Sequence, residues 1–231
     1  ELHAAAGRWH ATAGDPTAAV EHLIRAGCRV EAADVVADNA TKLLNVGRIY
    51  TVTRYIEQLG DLVDEHEGLA IVHGWVSFVS GRFAEAERAL VVARRLDLDG
   101  VDAGLIQTLT AMIHLAEGDV AAGLDAVEQP IVTTEPTNPM VHGGVRVMAG
   151  RFDDARPHLA QAKAMAASYP DHFVAAVTPV FEALAELETG RPVAARELAA
   201  AAIATADGHG LGEAAPLALA YSGVARTADD G

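Results

Sequence analysis

The chain has 231 residues and a formal net charge of −15, from 32 acidic and 17 basic side chains. That excess excludes direct binding to nucleic-acid phosphates or an anionic membrane, both of which need clustered Lys and Arg. With 51% apolar residues the chain is too hydrophobic to stay disordered, and a lone Cys28 allows neither an internal disulfide nor a Cys-based zinc cluster and points to a reducing, cytoplasmic location.

Alanine is abundant, aromatics make up 5% and no stretch alternates in period two for long, so the chain is predicted to be helical throughout. The apolar spacing is three and four: Leu69, Val72, Val76 and Val79 in one segment, Ala86, Leu90, Ala93 and Leu96 in the next. In chain order the expected helices cover 2–13, 16–26, 29–45, 48–59, 66–80, 83–96, 102–117, 120–129, 138–149, 153–168, 172–189, 192–207 and 213–226. Asp15-Pro16 supplies an N-cap and a proline at the first helical position, where its missing N–H costs nothing. Pro130, Pro136 and Pro139 mark a longer connection, and Pro179 inside a helical pattern predicts a kink. No apolar run is long enough to span a bilayer. The chain opens in mid-helix pattern without Met, as a piece of a longer polypeptide would.

Glycines punctuate the helices at Gly14, Gly47, Gly81, Gly118, Gly150 and Gly190, at intervals of 33, 34, 37, 32 and 40 residues. Glycine is the residue expected where a helix ends with positive φ. The best copies are Gly81-Arg82-Phe83-Ala84-Glu85-Ala86 and Gly150-Arg151-Phe152-Asp153-Asp154-Ala155; Gly47 and Gly118 are weak, because Val52 and Gly123 replace the alanine. A period near 34 with this turn resembles the tetratricopeptide (TPR) repeat. Ala86 and Ala155 stand where two antiparallel helices cross closely, Phe83 and Phe152 plug the wedge between them, and Gly74 and Gly143 give room on the first helix, as Ala93 and Ala162 do for the next repeat. The expected fold is therefore all-α: a right-handed superhelix of antiparallel helix pairs, a TPR-like solenoid of about thirteen helices forming one domain over 1–231.

The opening phrase narrows this further. Leu2-His3-Ala4-Ala5-Ala6, Trp9-His10, Gly14-Asp15-Pro16-Thr17-Ala18-Ala19-Val20-Glu21-His22, Ala26-Gly27 and Glu31-Ala32-Ala33-Asp34-Val35-Val36, with the later His73-Gly74-Trp75 and Ser80-Gly81-Arg82-Phe83-Ala84-Glu85-Ala86, resemble the helical-repeat sensor region of MalT-like regulators. These are large ATP-binding transcriptional regulators of the LuxR family, in the STAND class. The resemblance implies a modular switch, with an ATPase module before the repeats and a helix-turn-helix domain after them. In such a switch the repeats sense an inducer and the full-length regulator self-associates; some relatives carry a protein kinase instead of a DNA-binding output. No Gly-x-x-x-x-Gly-Lys-Ser/Thr stands in this chain, so ATP is expected in a separate module and no cofactor in this segment.

Candidate sites are few. Asp64-Glu65-His66-Glu67 lacks the second histidine of a helical zinc site and reads as a solvated loop. Asp97, Asp99 and Asp102 fall short of a calcium loop. Gly208-His209-Gly210-Leu211-Gly212 lacks the strand and spacing of a dinucleotide fingerprint. No Ser/His/Asp or Cys/His set is recognisable, so an enzyme is not expected. In a TPR-like solenoid the first helix of each pair lines the concave face. Aligned on the turn glycine, that face would carry Ile71, Trp75, Phe78 and Val79, then Leu105, Thr108, Met112 and Leu115, then Met140, Gly144, Val147 and Met148. This apolar stripe, with three of the four methionines, suits a small apolar or amphipathic ligand. Packing between helices would produce the same stripe. A protein partner, basic to match the acidic surface, is the alternative to a small-molecule effector; no membrane contact is expected.

Overall fold

The computed structural model describes residues 1–45, 47–96, 101–128, 135–168, 171–212, 217–218 and 220–222. Among these the chain is all-α, with no strand. The helices are α1 (Leu2–Ala13), α2 (Pro16–Arg25), α3 (Arg29–Asn45), α4 (Ile49–Leu59), α5 (Glu67–Val79), α6 (Phe83–Arg95), α7 (Val101–Ala116), α8 (Val120–Glu128), α9 (Thr137–Met148), α10 (Phe152–Ser168), α11 (His172–Glu188) and α12 (Pro192–Gly208). Every one of these begins and ends within one residue of the sequence expectation. The thirteenth, 213–226, lies mostly outside the described residues, as do Asp97 and Asp99.

The boundaries are sharp because one device ends helix after helix. At Gly150 (φ +72°) the glycine N–H bonds Val147 O and the next N–H, of Arg151, bonds Arg146 O. This pair of bonds satisfies carbonyls that the helix leaves orphaned, and it requires the left-handed conformation that a Cβ disfavours. The same two bonds recur at Gly14, Gly47, Gly118 and Gly190, all at positive φ. Gly47 and Gly118, the weak copies in sequence, are therefore full members in geometry. The device also closes α12: Gly210 N–H meets Asp207 O, Leu211 N–H meets Ala206 O, and the Leu211 side chain is buried. The glycine-rich 208–212 segment is thus a helix terminus. Asp15 and Asp119 then accept the backbone N–H of Ala18 and Ala122 and start the following helices.

Two expectations need adjusting. The stretch after α4 is not an open loop but a 3-10 turn over Gly60–Asp64, with Val63 buried. Pro179 lies inside α11, which is assigned as one helix through it, and α10 likewise contains Pro157. A mid-helix proline removes one backbone bond; in α11 the neighbours Thr178, Val180 and Phe181 are all buried and hold the helix across the gap.

The chain divides into two compact units, Glu1–Ser77 with Ala84–Leu98, and Phe78–Phe83 with Asp99–Gly231. In the first, α1 packs on α2, α2 on α3 and α3 on α4. Its core gathers Leu23, Val36, Leu43, Val52, Tyr55, Leu59, Leu69 and Val76. In the second, α7–α8, α9–α10 and α11–α12 are paired, and the leading helices also touch, α7 with α9 and α9 with α11.

A crossing rule runs through both units. Seven residues before each turn glycine stands a small buried residue: Gly7, Ala40, Gly74, Ala111, Gly143 and Ala183. Nine residues after it stands a buried residue: Leu23, Ile56, Leu90, Val127, Leu159 and Ala199. A Cβ on Gly7 would lie 2.7 Å from Leu23 Cγ, and one on Gly143 2.5 Å from Leu159 Cδ2. At these two crossings glycine leaves room for leucine, as close packing demands.

Candidate functional site

The stripe inferred on the leading helices is mainly packed. In the first unit Ile71 is buried and Trp75 half-buried. In the second, Phe78 and Val79 are buried, and the Phe78 ring lies 5.6 Å from that of Phe83. Met112, Met140 and Val147 are buried. Gly144 is buried under Phe181: a Cβ there would sit 2.5 Å from the ring. Leu115 is half-buried and reaches α8, 3.5 Å from where a Cβ on Gly123 would stand. Leu105 is half-buried, and Met148, 40% exposed, presents the most surface among these residues of the second unit.

Thr108 sits within a polar group that the sequence did not reveal. Its hydroxyl, fully buried on α7, is 2.6 Å from Asn138 Oδ1 and 2.8 Å from Gly104 O. Asn138 is itself buried at the start of α9. Asp171, also buried, is the N-cap of α11, and its Oδ1 accepts the Val174 N–H at 2.9 Å. Burial raises the pKa of the Glu135 carboxyl, and the Asp171 charge raises it further. A carboxyl so placed holds its proton more readily than a solvated one and can donate a hydrogen bond. Polar groups set in an apolar layer are how ligand sites acquire orientation. The spacing Asp171 to Val174 was a readable N-cap signal; Asn138 and Glu135 carried none.

A second polar feature lies between α9 and α10. The rings of His142 and His158 are 5.6 Å apart and tilted by 56°. Burial pushes His142 down to about 4, and His158 and the Arg146 guanidinium push the same way. His158 is also lowered, by burial and then Arg146, while Asp154 pulls it back. Arg146 donates to His142 O at 2.8 Å. Both imidazoles are thereby held neutral.

In the first unit, His66 precedes α5. Its Nδ1 accepts the Leu69 N–H at 3.4 Å and its Nε2 is 3.0 Å from Asp34 Oδ1. Nδ1 as acceptor puts the proton on Nε2, which then donates to Asp34. The Asp64–Glu67 segment thus supplies a helix cap. A shallow groove of about 170 Å³ between α2 and α4 is lined by Glu21, Ile24, Arg25, Arg54 and Gln58. Glu21 lies 3.4 Å from Arg54 and 3.7 Å from Arg25, so one carboxylate partners two guanidinium groups and the lining keeps one net positive charge.

Comparison with known protein families finds no matching family profile, and no curated protein matches the chain. Among the described residues no helix is long and apolar enough to cross a membrane.

Proposed function

We propose that this chain is an effector-sensing and interaction module of a bacterial transcriptional regulator, a segment that binds and does not catalyse. The observation that carries this is the helix pair recurring with one turn geometry and one crossing register. Repeats of that kind build extended binding surfaces. The regulator context comes from the resemblance of residues 2–36 and 69–93 to MalT-like LuxR regulators. In this proposal ATP and the output domain belong to other modules of a longer protein. The effector is small and apolar or amphipathic, taken up by leading-helix side chains such as Leu105 and Met148, and it acts by differential affinity for two states of the regulator.

A specific observation favours a second reading, a scaffold for a protein segment. Thr108, Met112, Met140, Gly144 and Val147 are spent on packing, which leaves less apolar lining for a small molecule. The net charge of −15 would then select a basic segment.

One experiment separates the two. The domain is incubated with a metabolite extract and examined by native mass spectrometry, alongside a pull-down at low and high salt. A retained small molecule supports the effector reading. A protein partner lost at high salt supports the scaffold. A parent reading frame without a phosphate-binding loop upstream and an output domain downstream removes the regulator context.

A further inference from the structure

Seven of the ten histidines touch another histidine. The three groups differ in where their nitrogen lone pairs point. These lone pairs lie in the ring plane, so two rings stacked face to face cannot share a cation between them. His172 and His209 are such a stack, centroids 3.6 Å apart and 9° from parallel. His142 and His158 have the Arg146 guanidinium beside them, which repels a further cation. The group on α1 and α2 is different. His3 and His22 are inclined by 38° and bring their Nδ1 atoms to 2.8 Å of each other. His10, one ring further along α1, lies parallel to His22 with centroids 5.4 Å apart. Its Nδ1 is 3.8 Å from Asp15 Oδ2, and the Trp9 ring stands edge-on to it at 4.9 Å.

Two nitrogens that converge on one proton can converge on one metal ion. In the hydrogen-bonded form one Nδ1 carries the proton and the other accepts it. Moving that proton to Nε2 of the same ring frees both Nδ1 lone pairs, with no net loss of a proton from a neutral imidazole. A tetrahedral ion with bonds of about 2.0–2.1 Å needs its nitrogens about 3.3 Å apart. The pair therefore opens by about half an ångström, a small rotation for side chains at the surface. Arg8, the basic residue of α1, is engaged elsewhere, at 2.7 Å from Glu31. Among the described residues no group of three or more His, Cys, Asp or Glu could hold a metal ion, so the site rests on two imidazoles. The pair His3 and His22 supplies the protein ligands, and water completes the coordination.

We propose that His3 and His22 bind a divalent transition-metal ion of the class that imidazole prefers, zinc or copper. The site is on the α1–α2 pair, does not depend on the regulator reading, and can be tested on the whole chain. Zinc sulfate and copper sulfate are titrated into the metal-free protein by calorimetry, with copper(II) followed by electron paramagnetic resonance. One equivalent binds, and the copper spectrum carries hyperfine splitting from two nitrogens. His3→Gln and His22→Gln each weaken binding about tenfold or more, and His172→Gln leaves it unchanged. Circular dichroism verifies that the variants fold. A measurement without variants stands beside these: in the unaltered protein, paramagnetic copper(II) broadens the imidazole resonances of His3, His10 and His22 first. No binding of either metal at tens of micromolar, full binding by both His3→Gln and His22→Gln, or broadening first at other histidines would overturn the site.

Discussion

The α1–α2 and α9–α10 pairs share a left-handed turn glycine, a Gly–Leu crossing sixteen residues apart, and a histidine eight residues after the turn, His22 in one and His158 in the other. Their surroundings differ. Helix α9 packs against α7, α8, α10 and α11, whereas α1 packs chiefly on α2. His158 meets a half-buried His142 with Arg146 beside it. His22 meets His3 at the surface, with His10 and Asp15 behind. One register position thus yields a neutral, packed imidazole pair in one place and a pair of facing ligand atoms in the other. The repeat dictates where the side chain stands, and its neighbours decide its chemistry.

The largest test is on the shared crossing. Gly143→Val drives a branched side chain into Leu159 and its backbone N–H, where a first Cβ already has only 2.5 to 3.2 Å. Chemical denaturation should show a loss of about 3 kcal/mol, at the upper end for overpacking. Adding Leu159→Val should return about 1 kcal/mol of it, because the shorter side chain withdraws the Cδ2 atom that the new Cβ meets first. Gly7→Val should cost less, since α1 can shift away from α2 more freely. If the two glycines cost the same, the difference in packing between the pairs is not what matters.

The next effect belongs to α9 alone. Asn138→Ala removes a buried partner of Thr108 and should lower stability by about 1–2 kcal/mol, measured by the same denaturation.

The third test is pH. His142 titrates near 4 in the folded chain against about 6.5 when unfolded. The unfolded state therefore binds the extra proton between those values, and stability falls as pH drops from about 6.5 toward 4. The full shift would be worth about 3 kcal/mol, and partial exposure reduces this to about 1–2 kcal/mol. His158 contributes in the same direction. Urea midpoints at pH 7.5 and 5 should differ, and His142→Gln should flatten the difference. An unchanged pH profile in that variant would mean His142 is not held neutral by its setting.

The smallest effect is expected at the exposed Arg8–Glu31 pair. Arg8→Ala should barely move the thermal midpoint, and the shift should fade in high salt.

The helices were legible because their ends are local chemistry. A glycine in the left-handed conformation, an Asp or Arg after it, and an alanine five residues on needed no knowledge of the rest of the chain. The 3-10 turn after Leu59 was not legible, because its apolar signal, Leu62 and Val63, is too short to show a period. The candidate site was less legible still. The stripe residues fall on α5, α7 and α9, but sequence spacing cannot say which face a neighbour covers. Phe181 lies thirty-seven residues beyond Gly144, and nothing in the chain near either marks their contact.

Sequence alone determined the helical class, the repeat and the turn glycines, because all of these act within about forty residues along the chain. Only the tertiary structure decided which polar groups are buried, that Thr108 faces Asn138, that Asp171 bears on Glu135, and that His158 is neutral while His22 confronts His3. Burial and the distances between charges depend on which helices meet, and dielectric and Coulomb effects follow those distances rather than the order of residues.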